Sequence, residues 1–206
     1  MLVKRYPILK SIAFIAALVA AWFVYHRMNA PITYPPGVLL AGEPEQHDPP
    51  YEVSFDYKKF HLRPLAAFVI DARVLHRKTY RYDSQAALAP VDLAVGWGPM
   101  SDQEVLDRLT ISQSARFYFY EYKNPPPIPK EEISAHSSNL HLIPSSDAIA
   151  AECKSLRTGE LIHLSGLLVQ ATGPGIGTWT SSTSRTDSGN GACELIWVED
   201  LEKIAR

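Results

Sequence analysis

Fifteen consecutive residues without a charge, Ser11 to Tyr25, constrain this chain more than any other feature. The run reads Ser-Ile-Ala-Phe-Ile-Ala-Ala-Leu-Val-Ala-Ala-Trp-Phe-Val-Tyr, and Ile8 and Leu9 extend it on the N-terminal side. Coiled as an α-helix, residues 8–25 span roughly 27 Å at about 1.5 Å per residue, close to the hydrocarbon thickness of about 30 Å. The expectation is one transmembrane helix, with the lipid bilayer as its partner. Lys10 lies one turn inside the start, where its stem can carry the ammonium back to the headgroups. Tyr6 at one end, and Trp22 with Tyr25 at the other, sit where amphipathic rings prefer to lie.

Orientation comes from charge. Lys4, Arg5, Lys10 and the amino terminus outweigh Arg27, so the positive-inside rule predicts a cytoplasmic N-terminus on a bacterial inner membrane and a periplasmic domain. A cleaved secretory signal is the rival reading, because fifteen residues also suit a signal's apolar region. Its cleavage sites are poor: Val19-Ala20-Ala21 leaves Trp-Phe-Val-Tyr at the new end, and Met28-Asn29-Ala30 runs into Pro31. A retained signal-anchor is the reading preferred. Either reading exports the rest of the chain.

The exported part is long enough to fold. With 46% hydrophobic and 20% charged residues, the chain can bury a core and does not have the composition of a disordered tail. Of the 20 basic residues four precede Pro31, which leaves 16 against 22 acidic. A net acidic domain with no Lys/Arg cluster lacks the footprint of a phosphate-backbone binder, so nucleic acid is excluded as a partner. The expected organisation is a cytoplasmic tip and transmembrane helix at 1–28, a Pro-rich linker at 29–58 and a globular domain at 59–206. The linker, without helical period, reads as an extended spacer lifting the domain off the bilayer.

Within the domain, strand signals dominate. Ala67–His76 alternates Phe68, Ile70, Ala72 and Val74 with Val69, Asp71 and Arg73, and Val91–Val95 is a second strand. Ser101-Asp-Gln-Glu104 is the pattern of a capping box before a short helix carrying Val105, Leu106 and Leu109. Ala115–Tyr122 reads as a strand with Ala115, Phe117 and Phe119 on one face and Arg116, Tyr118, Tyr120 and Tyr122 on the other, an aromatic stripe assigned to sheet packing. A turn of helix is expected near Lys130–Ser134, and a brief strand at Asn139–Ile143. Ser145 or Ser146 then caps a helix whose Ile149, Cys153 and Leu156 share one side, with Gly159 ending it. Leu161–Gln170, apolar on both faces with Gly166 at its centre, suits a central strand bent around a closed sheet. Thr178–Thr183 and Cys193–Val198 complete the set, and Gly173-Pro-Gly-Ile-Gly177 reads as a turn, since no Lys or helix start comes after it. The fold class expected is mainly β or α+β, one domain with short inserted helices, built as a small partly open β-barrel resembling an oligonucleotide/oligosaccharide-binding fold.

Cys153 and Cys193, both in the exported part, are the number expected of one structural disulfide, which would close a loop of about 41 residues and contribute about 4 kcal/mol. Either could equally be a buried thiol. There is no CxxC motif for thiol redox work.

Three stretches are candidates for chemistry. Gly96 and Gly98 flank Trp97, which could stack on a sugar or peptide; the alternative is a core-capping Trp. His141 comes five residues after His136, a pair that needs a third ligand to hold a metal, so no metal and no cofactor are expected. His141 could also act as a base toward a serine, although no nucleophile motif surrounds it. The hydroxyl-rich run from Trp179 to Gly191, with Arg185 and Asp187, could hold a small polar ligand, or its Ser and Thr could simply bond their own backbone. Trp97, His141, Arg185 and Asp187 are therefore the ligand-binding candidates.

Asp92-Leu-Ala-Val-Gly-Trp-Gly-Pro-Met-Ser-Asp102, Asn139-Leu-His-Leu-Ile-Pro144 and Gly191-Ala-Cys-Glu-Leu-Ile-Trp-Val198 resemble strings of a family of uncharacterised bacterial proteins with an N-terminal membrane segment. The resemblance covers residues 60–200 and implies the anchored architecture; it transfers no catalytic roles. The functional expectation is a membrane-tethered binding or scaffold module for an envelope protein or polymer. The alternative is an envelope hydrolase pairing His141 with a serine of 180–184.

Overall fold

The computed structural model describes residues 6–51, 53–184 and 193–205, with side chains from Lys10 onward. Two compact units emerge, residues 1–31 and 32–206. In the first, helix α1 runs Tyr6–Met28. Its Lys10–Met28 stretch is long and apolar enough to cross a membrane.

The second unit is mainly β. Strand β3 (Phe60–Thr79) pairs antiparallel with β4 (Val91–Gly96), and β4 with β7 (Ser137–Pro144). Strand β7 runs parallel to β10 (Glu194–Lys203), which lies antiparallel to β8 (Leu161–Gly173). Strand β8 then pairs antiparallel with β3, so the five strands hydrogen-bond in a ring. A twenty-residue β3 can take part at two places because it breaks register between Pro64 and Ala66 and again between Val74 and His76, where it bends. Gly166 sits where three strands crowd: it pairs with Phe68 and Val198, and a Cβ there would lie 2.0 Å from the Trp197 carbonyl oxygen. The glycine is required by that close approach.

Alternation sorts the side chains of the ring. Phe68, Ile70, Val74, Leu93, Leu140, Leu164 and Ile196 fill its interior. Helix α4 (Asp147–Ser155), capped by Ser146 Oγ accepting from the Ile149 amide, adds Cys153 to that cluster, and Leu156 just past its end adds another side chain. A second cluster on the outer side of β8 and β10 includes Leu167, Val169 and Leu195, and Phe55, Tyr57 and Trp197 pack on it. Strand β9 (Gly177–Thr180) extends β8 through the expected glycine turn.

Several expectations need correction. The Pro-rich stretch is no spacer: residues 32–51 and 53–57 belong to a strap stitched to the domain. The Ile32 amide donates to the Thr158 carbonyl, and the Leu39 and Leu40 amides donate to Ser101 Oγ. Buried Arg73 donates to the Ile32 carbonyl from below, and β1 (Glu45–His47) and β2 (Phe55–Tyr57) add to the edge of β3. Ser101 is therefore occupied, and Asp102 caps the four-residue α2 (Gln103–Leu106) instead. Gly159, at φ +90°, does not end α4, which stops at Ser155; it gives the strap passage, since a Cβ would meet the Ile32 carbonyl oxygen at 1.9 Å.

Ala115 does not begin a strand. It forms with Arg116 a two-residue turn, both at positive φ, between β5 (Leu109–Ser114) and β6 (Phe117–Tyr122). The tyrosines of β6 pack toward the domain beside Ile133 of α3 (Lys130–Ala135), whereas Phe117 and Phe119 are exposed. Neither cysteine is in a disulfide. Cys153 sits on α4 beyond the C-terminal end of β7, while Cys193 precedes β10 near Asn139, about five residues back along the strands. Cys153 is buried in the ring-interior cluster, whereas Cys193 Sγ meets Asn139 on the outward side.

Candidate functional site

The three expected stretches divide between two clefts. Trp97 lines a narrow one of about 40 Å³ with Ser138, Leu140, Ser182, Thr183, Ser184 and Glu194, space for a few waters. Its indole is 4% exposed and donates from Nε1 to Glu43 Oε2 of the strap at 2.8 Å. It caps the ring interior and presents no stacking face. The flanking glycines serve the backbone: Gly98 lies at φ +49°, and a Cβ on it would meet the His136 ring at 2.6 Å. The serines bond locally as well, Ser181 Oγ accepting from the Leu195 amide and Ser182 Oγ from the Ser184 amide. Arg185 and Asp187 lie outside the described residues.

His141 belongs to the other cleft, about 290 Å³, on the outer side of the ring. Gln85, Ala115, Arg116, Phe117, Trp179, Thr180 and Cys193 line it with His141. The strands dictate this grouping. Asp92 on β4 stands directly opposite His141 on β7 and shares its outward side, since Leu93 and Leu140 point inward. Cys193 falls beside Asn139 by the register of β10 on β7, and Asn139 Nδ2 lies 3.8 Å from Cys193 Sγ.

Asp92 in the middle of an apolar strand is fully buried, a position a carboxylate holds only with partners. Arg116 supplies them from the β5–β6 turn: Nη1 donates to Asp92 Oδ1 at 2.8 Å and to the Ala89 carbonyl, and Nη2 donates to Asp83 Oδ1 at 2.7 Å. The guanidinium stacks 3.7 Å over the Tyr80 ring, whose phenol burial pushes above its ordinary pKa. Two non-glycine residues in the left-handed region cost energy. That turn is fastened by the Arg116 amide donating to Tyr80 Oη and by its carbonyl accepting from Asn139 Nδ2. Gln113 donates to Asn139 and meets His76 Nδ1 at 2.9 Å, so a polar track runs behind the turn.

Among the described residues, three buried polar atoms in this cluster lack hydrogen-bond partners: Asp92 Oδ2, Arg116 Nε and His141 Nδ1. His141 Nδ1 does sit 3.0 Å from Asp92 Oδ1, but the two are not aligned for a hydrogen bond; their interaction is one of charge when the ring is protonated. Trp179 closes the other side of the imidazole, ring centroids 4.8 Å apart.

His136 does not join His141. It meets Glu43 Oε1 and Glu132 Oε2 at 3.3 Å each. Among the described residues no group of three His, Cys, Asp or Glu side chains is placed to hold a metal ion. Sequence reasoning missed Asp92, Arg116 and Cys193 as members of one cluster. The signal for Asp92 was a lone acid inside an apolar strand; for Arg116 no local signal exists. No protein-family model, curated protein or solved structure matches the chain.

Proposed function

We propose that this chain is a membrane-tethered binding or scaffold module: α1 anchors it in a bacterial inner membrane with the N-terminus inside, and residues 32–206 work on the periplasmic side. The observation that carries the reading is the His141 cleft, where Trp179 and Phe117 offer ring surface above buried charge, the mixture by which proteins hold partly polar ligands. Its occupant is an envelope protein or polymer presenting an apolar group beside hydrogen-bonding atoms. The charge asymmetry around α1 supports the orientation.

The test uses the full chain in cells. A photoreactive residue in place of Phe117 is expected to yield a discrete envelope adduct that Trp179→Ala abolishes; no adduct, or one indifferent to Trp179→Ala, overturns the binding reading. Protease added to spheroplasts should digest the domain, and protection there would reverse the orientation.

The hydrolase alternative changes its nucleophile. Ser182 and Ser184 line the Trp97 cleft, whereas the cleft of His141 contains a thiol.

A further inference from the structure

Cys193 and His141 lie on the same outward side of neighbouring parallel strands, two residues apart in register. Strand spacing and rise put their Cα atoms about 8 Å apart, a distance that a thiol and an imidazole bridge by pointing toward each other. Both line the same cleft, and Cys193 is partly exposed there. The second observation is independent of the cysteine. The His141 side chain is 3% exposed, yet its Nδ1 has no aligned hydrogen bond among the described residues. A buried histidine serving only as packing is ordinarily hydrogen-bonded. Here a carboxylate stands 3.0 Å from Nδ1, the position from which it stabilises an imidazolium, and the side chain lines the cleft with Trp179 against its ring.

We propose that the cleft is a cysteine acyl-transfer site: Cys193 is the nucleophile, His141 its base, and Asp92 the positioning residue behind the base. The substrate class is an ester- or thioester-linked acyl group carried by that envelope partner, the acyl chain resting on Trp179 and Phe117. In the first step the Sγ proton passes to His141 and sulfur attacks the carbonyl carbon. An S–C bond forms, the bond to the leaving group breaks with its electron pair, and the imidazolium returns the proton to that group. Water, deprotonated by His141, then cleaves the thioester, releasing a carboxylic acid and restoring the thiol. No redox partner is needed. The inference rests on the His141 cleft being the ligand site.

The experiment treats the purified full chain in detergent with iodoacetamide across pH 5 to 10 and, separately, with p-nitrophenyl butyrate. Alkylation should fall on Cys193, at pH 6.5 run at least tenfold faster than for free cysteine, and be unchanged in Cys153→Ser. His141→Gln should erase that excess at pH 6.5 while leaving the rate at pH 10. Asp92→Asn should move the wild-type pH profile upward. The ester should leave a butyryl group on Cys193, read as a mass increase, removed by neutral hydroxylamine and absent in Cys193→Ser. Alkylation no faster than free cysteine overturns the proposal, and the wild-type profile alone decides this even if His141→Gln fails to fold. Fast alkylation with neither a butyryl adduct nor p-nitrophenol release that Cys193→Ser abolishes also overturns it. Either failure leaves the photo-adduct and its loss in Trp179→Ala untouched, so the binding reading stands or falls separately.

Discussion

At its middle, strand β7 is buried to the same degree on both sides and built from opposite materials. Inward, Leu140 and Leu142 are fully buried in the apolar ring interior; outward, Asn139 and His141 are 4% and 3% exposed and meet Gln113, Arg116, Asp92 and Cys193. Burial of the inner side is favourable in itself, because apolar area leaves water. Burial of the outer side is unfavourable unless charges are matched, and among the described residues matching leaves Asp92 Oδ2, Arg116 Nε and His141 Nδ1 over. A fold that needed only stability could fill the outer side with leucine. The proposed site rests on that difference, on the outer side of the strand.

The contrast breaks most visibly at Arg116. Arg116→Ala should destabilise the domain by about 4 kcal/mol, because it strands the fully buried Asp92 carboxylate without its cation. Adding Asp92→Asn should recover part of that loss, measured as a double-mutant cycle in urea unfolding. A cost below about 1 kcal/mol for Arg116→Ala would show the outer charges to be solvated after all. On the inner side, Leu140→Ala should cost about 3 kcal/mol, through lost transfer energy and a cavity, with no partner able to rescue it. Equal rescue by a second substitution on both sides would erase the distinction.

Features whose causes are local were legible in the sequence. The apolar run of α1, the alternation of β3 and β4 and the serine cap of α4 all carry their reasons within a few residues. The strap was not. Its proline content resembles a spacer, and the groups that fasten it, Ser101, Gln103 and Thr158, lie more than sixty residues away. The site was half legible. His141 stood out as a candidate, but its neighbours come from β4, the β5–β6 turn and the start of β10, and only the ring brings them together. The Ala115–Arg116 turn uses no glycine or asparagine, so residue preference gave no warning of it. Phe117 and Phe119 misled in the other direction: the aromatic stripe reads as sheet packing throughout, yet only its tyrosines pack.

Alkaline pH tests the tyrosine side of that hairpin. Burial above all pushes the Tyr118 phenol up to about 12, although the Ser137 hydroxyl bonded to it acts the other way. With the unfolded value near 10, the unfolded chain loses this proton first, so stability is intact below about pH 10 and falls as pH rises toward 12. The loss should approach about 2 kcal/mol and be smaller in Tyr118→Phe. A slope unchanged in Tyr118→Phe would assign the alkaline loss to Tyr80 or to other phenols.

The smallest effect separates the two sides of β7 most cleanly. Ser146 caps α4, whose Cys153 contributes to the ring interior with Leu156 just past its end. Ser146→Ala leaves the Ile149 amide without its acceptor and should cost about 1 kcal/mol in urea unfolding. Helix α4 packs on the ring interior, so iodoacetamide reactivity of Cys193 at pH 6.5 should be the same in this variant as in the wild type. Burial also pushes the Cys153 thiol up to about 12, which keeps it from reporting unless α4 opens. Label appearing on Cys153 in Ser146→Ala would therefore measure fraying of the interior. A parallel change at Cys193 would mean that the cleft depends on the end of the ring that α4 covers, and that the two sides of the strand are one cooperative unit.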